Sequence, residues 1–219
     1  MDRLNELWPE FWAAALETLY MASIALVLGG VLGLVWGVIL YVSRSGGILP
    51  NRVVNVIMST AINFFRPIPF VIFIAVLQPF TRAVIGVGIG VNAGAFMIGI
   101  AASFAIGRIV EQHLVSVPPG VIEAARAMGA GPWRILFTVA IPEALGPLIL
   151  GYTFIVVAII DMTAMAGLIG GGGLGAFAQI YGFRQFEPVV MWAAIVLIVV
   201  FVHLVQLLGN RLARKIMRR

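Results

Sequence analysis

Pro118-Pro119-Gly120-Val121-Ile122-Glu123-Ala124-Ala125-Arg126-Ala127-Met128-Gly129-Ala130-Gly131-Pro132-Trp133-Arg134, continued by Ile135-Leu136-Phe137-Thr138-Val139-Ala140-Ile141-Pro142-Glu143, is a polar interruption between two apolar runs. Pro119 suits the first turn of a helix, where its missing N–H is not needed. Gly129 suits the left-handed residue just past a helix end. Between them Val121, Ala125 and Met128 recur at spacings of four and three and predict one apolar face. Gly131-Pro132 opens a second short helical segment, and Pro142 marks where the following span begins. Two short helices back to back, small on one side, have the form of a docking element.

Around this stretch the chain is built for hydrocarbon. Of 219 residues 62% are hydrophobic and 11% charged, and the mean hydropathy is +1.08. A soluble domain carries about 25% charged residues. The composition therefore predicts an all-α polytopic membrane protein, a single transmembrane domain over 1–219. A span needs about 20 apolar residues to cross roughly 30 Å of hydrocarbon. Five runs meet that length: 18–43, 53–81, 91–110, 142–165 and 188–210. The third starts near Val91 because Gly86, Gly88 and Gly90 favour a loop before it. The docking stretch, 117–142, joins spans three and four. No cleavable leader is expected, since the first residues lack a basic n-region. The absence of cysteine excludes a disulfide framework and thiol chemistry.

Basic residues set the orientation. With the N-terminus outside, the inner segments hold Arg44, Arg52, Arg108, Arg126, Arg134 and the tail residues Arg211, Arg214, Lys215, Arg218 and Arg219. The outer segments hold Arg3, Arg82 and Arg184, and the acidic Asp2, Glu6 and Glu10 lie there too. An odd number of spans then puts the C-terminus and the docking stretch in the cytoplasm together. The net charge of +5 is concentrated in that tail, which reads as an anchor on anionic headgroups of the lipid bilayer; no nucleic acid is expected as a partner.

The docking stretch resembles a known family. Glu123-Ala124-Ala125, then Gly129, then Val139-Ala140-Ile141-Pro142 is similar to the EAA loop of ABC importer permeases, with Val139 and Ile141 as mild departures. The resemblance implies coupling helices that sit in a groove of a cytoplasmic ATPase, with Glu123, Ala124, Ala125, Gly129, Ile141 and Pro142 as the coupling residues. Residues 63–90, and Thr163-Ala164-Met165-Ala166-Gly167 followed by the glycine run to Gly175, look like the permease of methionine importers. That implies a binding-protein-dependent importer of methionine in a bacterial inner membrane. Its assembly would be a homodimer of permeases, two ATPase subunits holding ATP and Mg, and an extracytoplasmic binding protein. In that subfamily the position of Asp161 is usually uncharged, which leaves open methionine (D- or L-), another amino acid or another small solute as the substrate.

Little else here could carry chemistry. Gly170-Gly171-Gly172-Gly173-Leu174-Gly175 lacks the Lys-Ser/Thr of a phosphate loop and follows a span, not a strand. It reads as a flexible turn, as does Gly86-Val87-Gly88-Ile89-Gly90. His113 and His203 stand apart, so neither a metal site nor a catalytic site is expected. A membrane enzyme would need converging titratable groups, and the nine acidic residues are scattered. Two spans carry small residues every fourth position: Gly29, Gly33 and Gly37 in the first, Ala95, Gly99, Ser103 and Gly107 in the third. Such strips let helices approach closely, within one chain or across a dimer. Trp8, Trp12, Tyr20 and Tyr41 fit interfacial belts.

A charge near the middle of a span costs about 2.5–3.5 kcal/mol on insertion scales, so Arg66 and Asp161 need a reason. Arg66 stands before Pro67 and Pro69, which free backbone carbonyls and predict a bend. Two readings stand: the guanidinium bonds to those carbonyls, or it lines the translocation path and meets a carboxylate. Asp161 meets an ammonium group, a salt-bridge partner or water at a helix end. Met165, a large flexible side chain among small ones, is either core filler or a plug that closes the path.

Overall fold

The computed structural model describes residues 6–217, and every described element is helical. Asp2, Arg3, Arg218 and Arg219, which enter the charge argument above, lie outside the described residues. α1 (Trp8–Ser43) begins ten residues before the predicted span. Pro9 occupies its first turn, where no N–H is needed. At 1.5 Å per residue a helix of 36 residues reaches about 54 Å, well beyond the hydrocarbon. Its first turns, with Trp8 and Trp12 exposed, match an aromatic belt. Tyr41 does not: it is buried beneath Arg44, whose guanidinium carbon lies 5.1 Å from the ring centre.

The second predicted span is broken. α2 (Arg52–Phe65) and α3 (Phe70–Ile85) meet at 113°. Pro67 and Pro69 cause this, since neither supplies an N–H and each bars a continuing helix. Phe65 fixes the corner by stacking on Phe104 (5.0 Å) and contacting Phe73 edge-on (6.0 Å). The halves are 14 and 16 residues, about 21 and 24 Å, so neither crosses hydrocarbon alone. Four helices are long and apolar enough to cross, and the bent pair makes a fifth span if taken as one. Gly86 and Gly90, both with φ near +90° (+81° and +99°), end the bent pair and open the loop to α4 (Val91–Val115).

α1 and α4 form the spine, and the two small-residue strips face one another within this chain. A Cβ on Gly29 would stand 2.6 Å from the Gly99 carbonyl, on Gly33 2.5 Å from Ile106 Cβ, and on Gly37 2.5 Å from Val110 Cβ. Without large driving forces between helices in lipid, backbones this close gain dispersion contacts along their whole length. The strip is thus internal, and the alternative of a strip facing a second copy falls away.

After α5 (Pro119–Ala127) the chain turns at Gly129 and enters α6 (Pro132–Ile135). Here the structure corrects the expected second short helix. α6 runs through a π-helical turn, Leu136–Ala140, straight into α7 (Ile141–Leu168), a single 37-residue rod. Pro142 would collide with the carbonyl four residues back in a regular helix. The wider turn just before it, closed by Ile141 N–H to the Leu136 carbonyl, makes room. The helix that carries span four therefore starts at Pro132, ten residues before Pro142.

α8 (Gly173–Phe177), extended by a second π-helical turn, folds back on the end of α7, with Gly167 and Gly175 at the closest approach. The glycine run is no loose turn. The Gly173 N–H donates to Glu17 Oε2 (2.7 Å) and the Leu174 N–H to Thr18 Oγ1 (2.8 Å), so α1 caps α8. α9 (Pro188–Met217) closes the chain against α7, with Gly209 on Thr153.

Candidate functional site

Two groups of residues stand out, at one end of the helices and along one face of α7. At the end, α5 buries only a narrow edge, Ile122 and Ala125. Val121 is 38% and Met128 81% exposed, so the predicted face of Val121, Ala125 and Met128 is divided by the fold. The reason is the width of the contact, since a nine-residue helix on a domain surface has one edge to give. Glu123, Ala124 and Ala127 are exposed. The helix stops as expected: Gly129 has φ +78°, and the Ala130 N–H reaches back to the Ala125 carbonyl (3.1 Å) while the Met128 N–H bonds Ala124. Beside α5 the first turns of the α6–α7 rod expose Trp133 (62%) and Phe137 (61%), their rings stacked 6.3 Å apart. Ile141 is partly buried and Pro142 exposed in that rod, a turn or more beyond the patch. Met128, Trp133, Phe137 and Val121 give the end of the molecule an apolar surface around one carboxylate, a form that marks an interaction site.

On α7, Phe154, Asp161, Met165 and Leu168 recur at spacings of seven, four and three and are all exposed. Met165 is 37% exposed, outside the core of this chain. Arg66 sits exposed at the α2–α3 corner and lines a small cavity, about 60 Å³, with Met162 beside Asp161. Its guanidinium takes no carbonyl and no carboxylate among the described residues, and Asp161 likewise forms no ion pair there. Arg66 and Asp161 are thus two exposed, opposite charges on neighbouring elements, with no ion pair among the described residues. Among the described residues no group of three metal-ligating side chains converges. His203 Nδ1 lies 2.9 Å from the Val199 carbonyl of its own helix.

Glu17 is the polar residue that sequence reasoning passed over. It lies one position before the uncharged run and reads as an interfacial charge; its partner is 156 residues away. The one local signal was a carboxylate beside a threonine facing a glycine-rich turn elsewhere.

Residues 29–218 match the family described as the binding-protein-dependent transport system inner membrane component. The chain belongs to that family. Membership makes it the membrane-embedded component of a transport system, with hydrolysis left to another subunit. It is 39% identical to the probable D-methionine transport system permease protein MetI of Pasteurella multocida, over 95% of this chain and 96% of that one. It is 40% identical to the methionine import system permease protein MetP of Bacillus subtilis, over 96% and 95%. Its fold superposes on a permease chain of the inward-facing MetNI methionine ABC transporter with a TM-score of 0.89 at 38% identity, covering 99% and 97%.

Proposed function

We propose that this chain is the permease subunit of an ATP-driven methionine importer. The observation that carries the reading is similarity along almost the whole chain to permeases named for methionine transport. The N-terminus lies outside and the C-terminus in the cytoplasm of an inner membrane, with the α2–α3 pair counting as one broken span. α5 and the exposed Trp133 and Phe137 dock on the ATPase, Glu123 being the charged anchor among alanines small enough for close approach. Gly129, Ile141 and Pro142 transmit that docking: the first fixes the end of α5, the others the start of a rod that runs unbroken to Leu168. Two copies of the permease face each other across the α7 stripe, two ATPase subunits bind ATP and Mg below, and a binding protein delivers substrate from outside. Arg66 receives the carboxylate of the amino acid, Asp161 its ammonium group, and Met165 closes the path between cycles.

Vesicles carrying the permease and its ATPase, supplied with the binding protein and ATP, test this by uptake of labelled methionine. ATP-dependent accumulation, competed by unlabelled methionine, is expected. Accumulation that another amino acid competes and methionine does not would assign the other solute. That second reading is favoured by Asp161, a charge that forms no ion pair among the described residues.

A further inference from the structure

At the end of the molecule that carries α5, a pocket of about 210 Å³ opens between the α1–α2 loop and α5. Arg44 stands on one wall, at the cap of α1, and Arg126 on the other. Arg44 is only partly exposed, and its Nε–H is buried with no hydrogen-bond partner among the described residues. Its guanidinium carbon lies 5.1 Å from the Tyr41 ring centre, a cation–π contact that holds the group in place. Arg126 uses one nitrogen on the Gly47 carbonyl (3.0 Å). Arg44, Arg126 and Tyr41 all line this one pocket, so the two charges share its space. Glu123 lines the same pocket but forms no ion pair with either arginine. Two fixed guanidinium groups against one carboxylate leave the pocket positive. Arg44 thus has a donor that nothing in the described residues satisfies, an arrangement that folded proteins seldom leave standing.

We propose that this pocket binds a phosphate group, and that in the membrane the phosphate is the headgroup of an anionic phospholipid. Three features favour that ligand. Guanidinium groups match phosphate oxygens in pairs. The pocket opens at Arg44, the first charge after the uncharged run 18–43, a position expected at headgroup level. It is also lined by Ile48, Val115, Val117 and Ile122, which suit the apolar part of a lipid. A bound headgroup joins the end of α1 to the helix proposed to dock the ATPase. Anionic lipid thereby stiffens the coupling element, and membrane composition adjusts the coupling of hydrolysis to transport.

The test is lipid retention by the purified permease–ATPase complex in detergent, read by native mass spectrometry after exposure to phosphatidylglycerol or phosphatidylcholine. Selective retention of phosphatidylglycerol is expected, lowered about fivefold by Arg44→Gln and similarly by Arg126→Gln, as each arginine contributes comparably to anionic-lipid attraction. Arg211→Gln, on the basic tail, should leave the pocket lipid in place, which separates this site from general attraction to the tail. In a lipid-depleted arm, inorganic phosphate is added and thermal unfolding followed. Stabilisation of wild type but not of Arg44→Gln, without selective lipid retention, keeps the phosphate site and overturns the lipid as its source. No lipid preference and no phosphate stabilisation in wild type overturns the proposal, whether or not either variant assembles. Neither readout needs methionine or a known orientation, so failure here is distinct from failure of the transport reading.

Discussion

Gly129 has open space where a side chain would project: no heavy atom lies within 4 Å of an added Cβ. What bars a side chain is the backbone, since φ +78° costs an L-residue about 1–2 kcal/mol. Gly129→Val should therefore leave insertion intact but fray the end of α5 and lower ATP-coupled uptake; wild-type uptake at equal membrane level would remove Gly129 from coupling. Arg66 and Met165 separate by a different readout. Met165→Ala should raise ATP-independent leak of labelled methionine, whereas Arg66→Ala should lower coupled uptake with the vesicles still tight. A tight, fully coupled Met165→Ala transporter would make that residue ordinary surface. The cap at Gly129 and the bend beside Arg66 were legible in the sequence, because a glycine past a helix end and a pair of prolines are local signals. Glu17 was not, because nothing within its own turn of helix names a partner at Gly173.

At the scale of elements, the contact of α1 with α4 sets how far the spine can be altered. Gly33→Ala would place a methyl group 2.5 Å from Ile106 Cβ and 2.9 Å from the Ser103 carbonyl. Overpacking of this kind costs about 1–3 kcal/mol. Thermal unfolding in detergent should fall for Gly33→Ala and collapse for Gly33→Leu, while Gly131→Ala, in open space, should unfold as wild type does. Equal stability of all three would mean that the helices do not touch along this strip. The cap on α8 is a second element-level test. Glu17→Ala leaves the Gly173 N–H without its acceptor, at a cost of about 1–3 kcal/mol. Cysteine labelling of the glycine turn should then quicken in Glu17→Ala, and an unchanged rate would show that Thr18 alone holds α8.

The whole molecule has a covered side and an uncovered one. α1 and α4 bury each other's small-residue strips, but the α7 stripe and the α2–α3 corner are exposed, with Asp161 and Arg66 on them forming no ion pair among the described residues. An ionised side chain within a span is costly, so if these two lie in hydrocarbon this side needs a cavity or a partner. A closed pair related by a two-fold axis would put both copies of Asp161 and Met165 around one axis and wall off a path. The mass of the detergent-solubilised complex is expected to show two permeases with two ATPases. One permease per two ATPases would end the symmetric account and require another subunit opposite α7.

Membrane residence, the helical class, the end of α5 at Gly129 and the break at Pro67 and Pro69 all followed from the sequence. Each depends on composition or on backbone limits acting within a few residues. Tertiary structure alone decided that the glycine strips face each other, that α8 hangs from Glu17 and Thr18, and that Tyr41 lies under Arg44. It also decided that the chain from Pro132 to Leu168 is one rod, with a π-helical turn absorbing Pro142. A small-residue strip, a carboxylate or a proline states what a helix can tolerate. Which neighbour uses that tolerance depends on residues far off in the chain, brought close only when the helices pack.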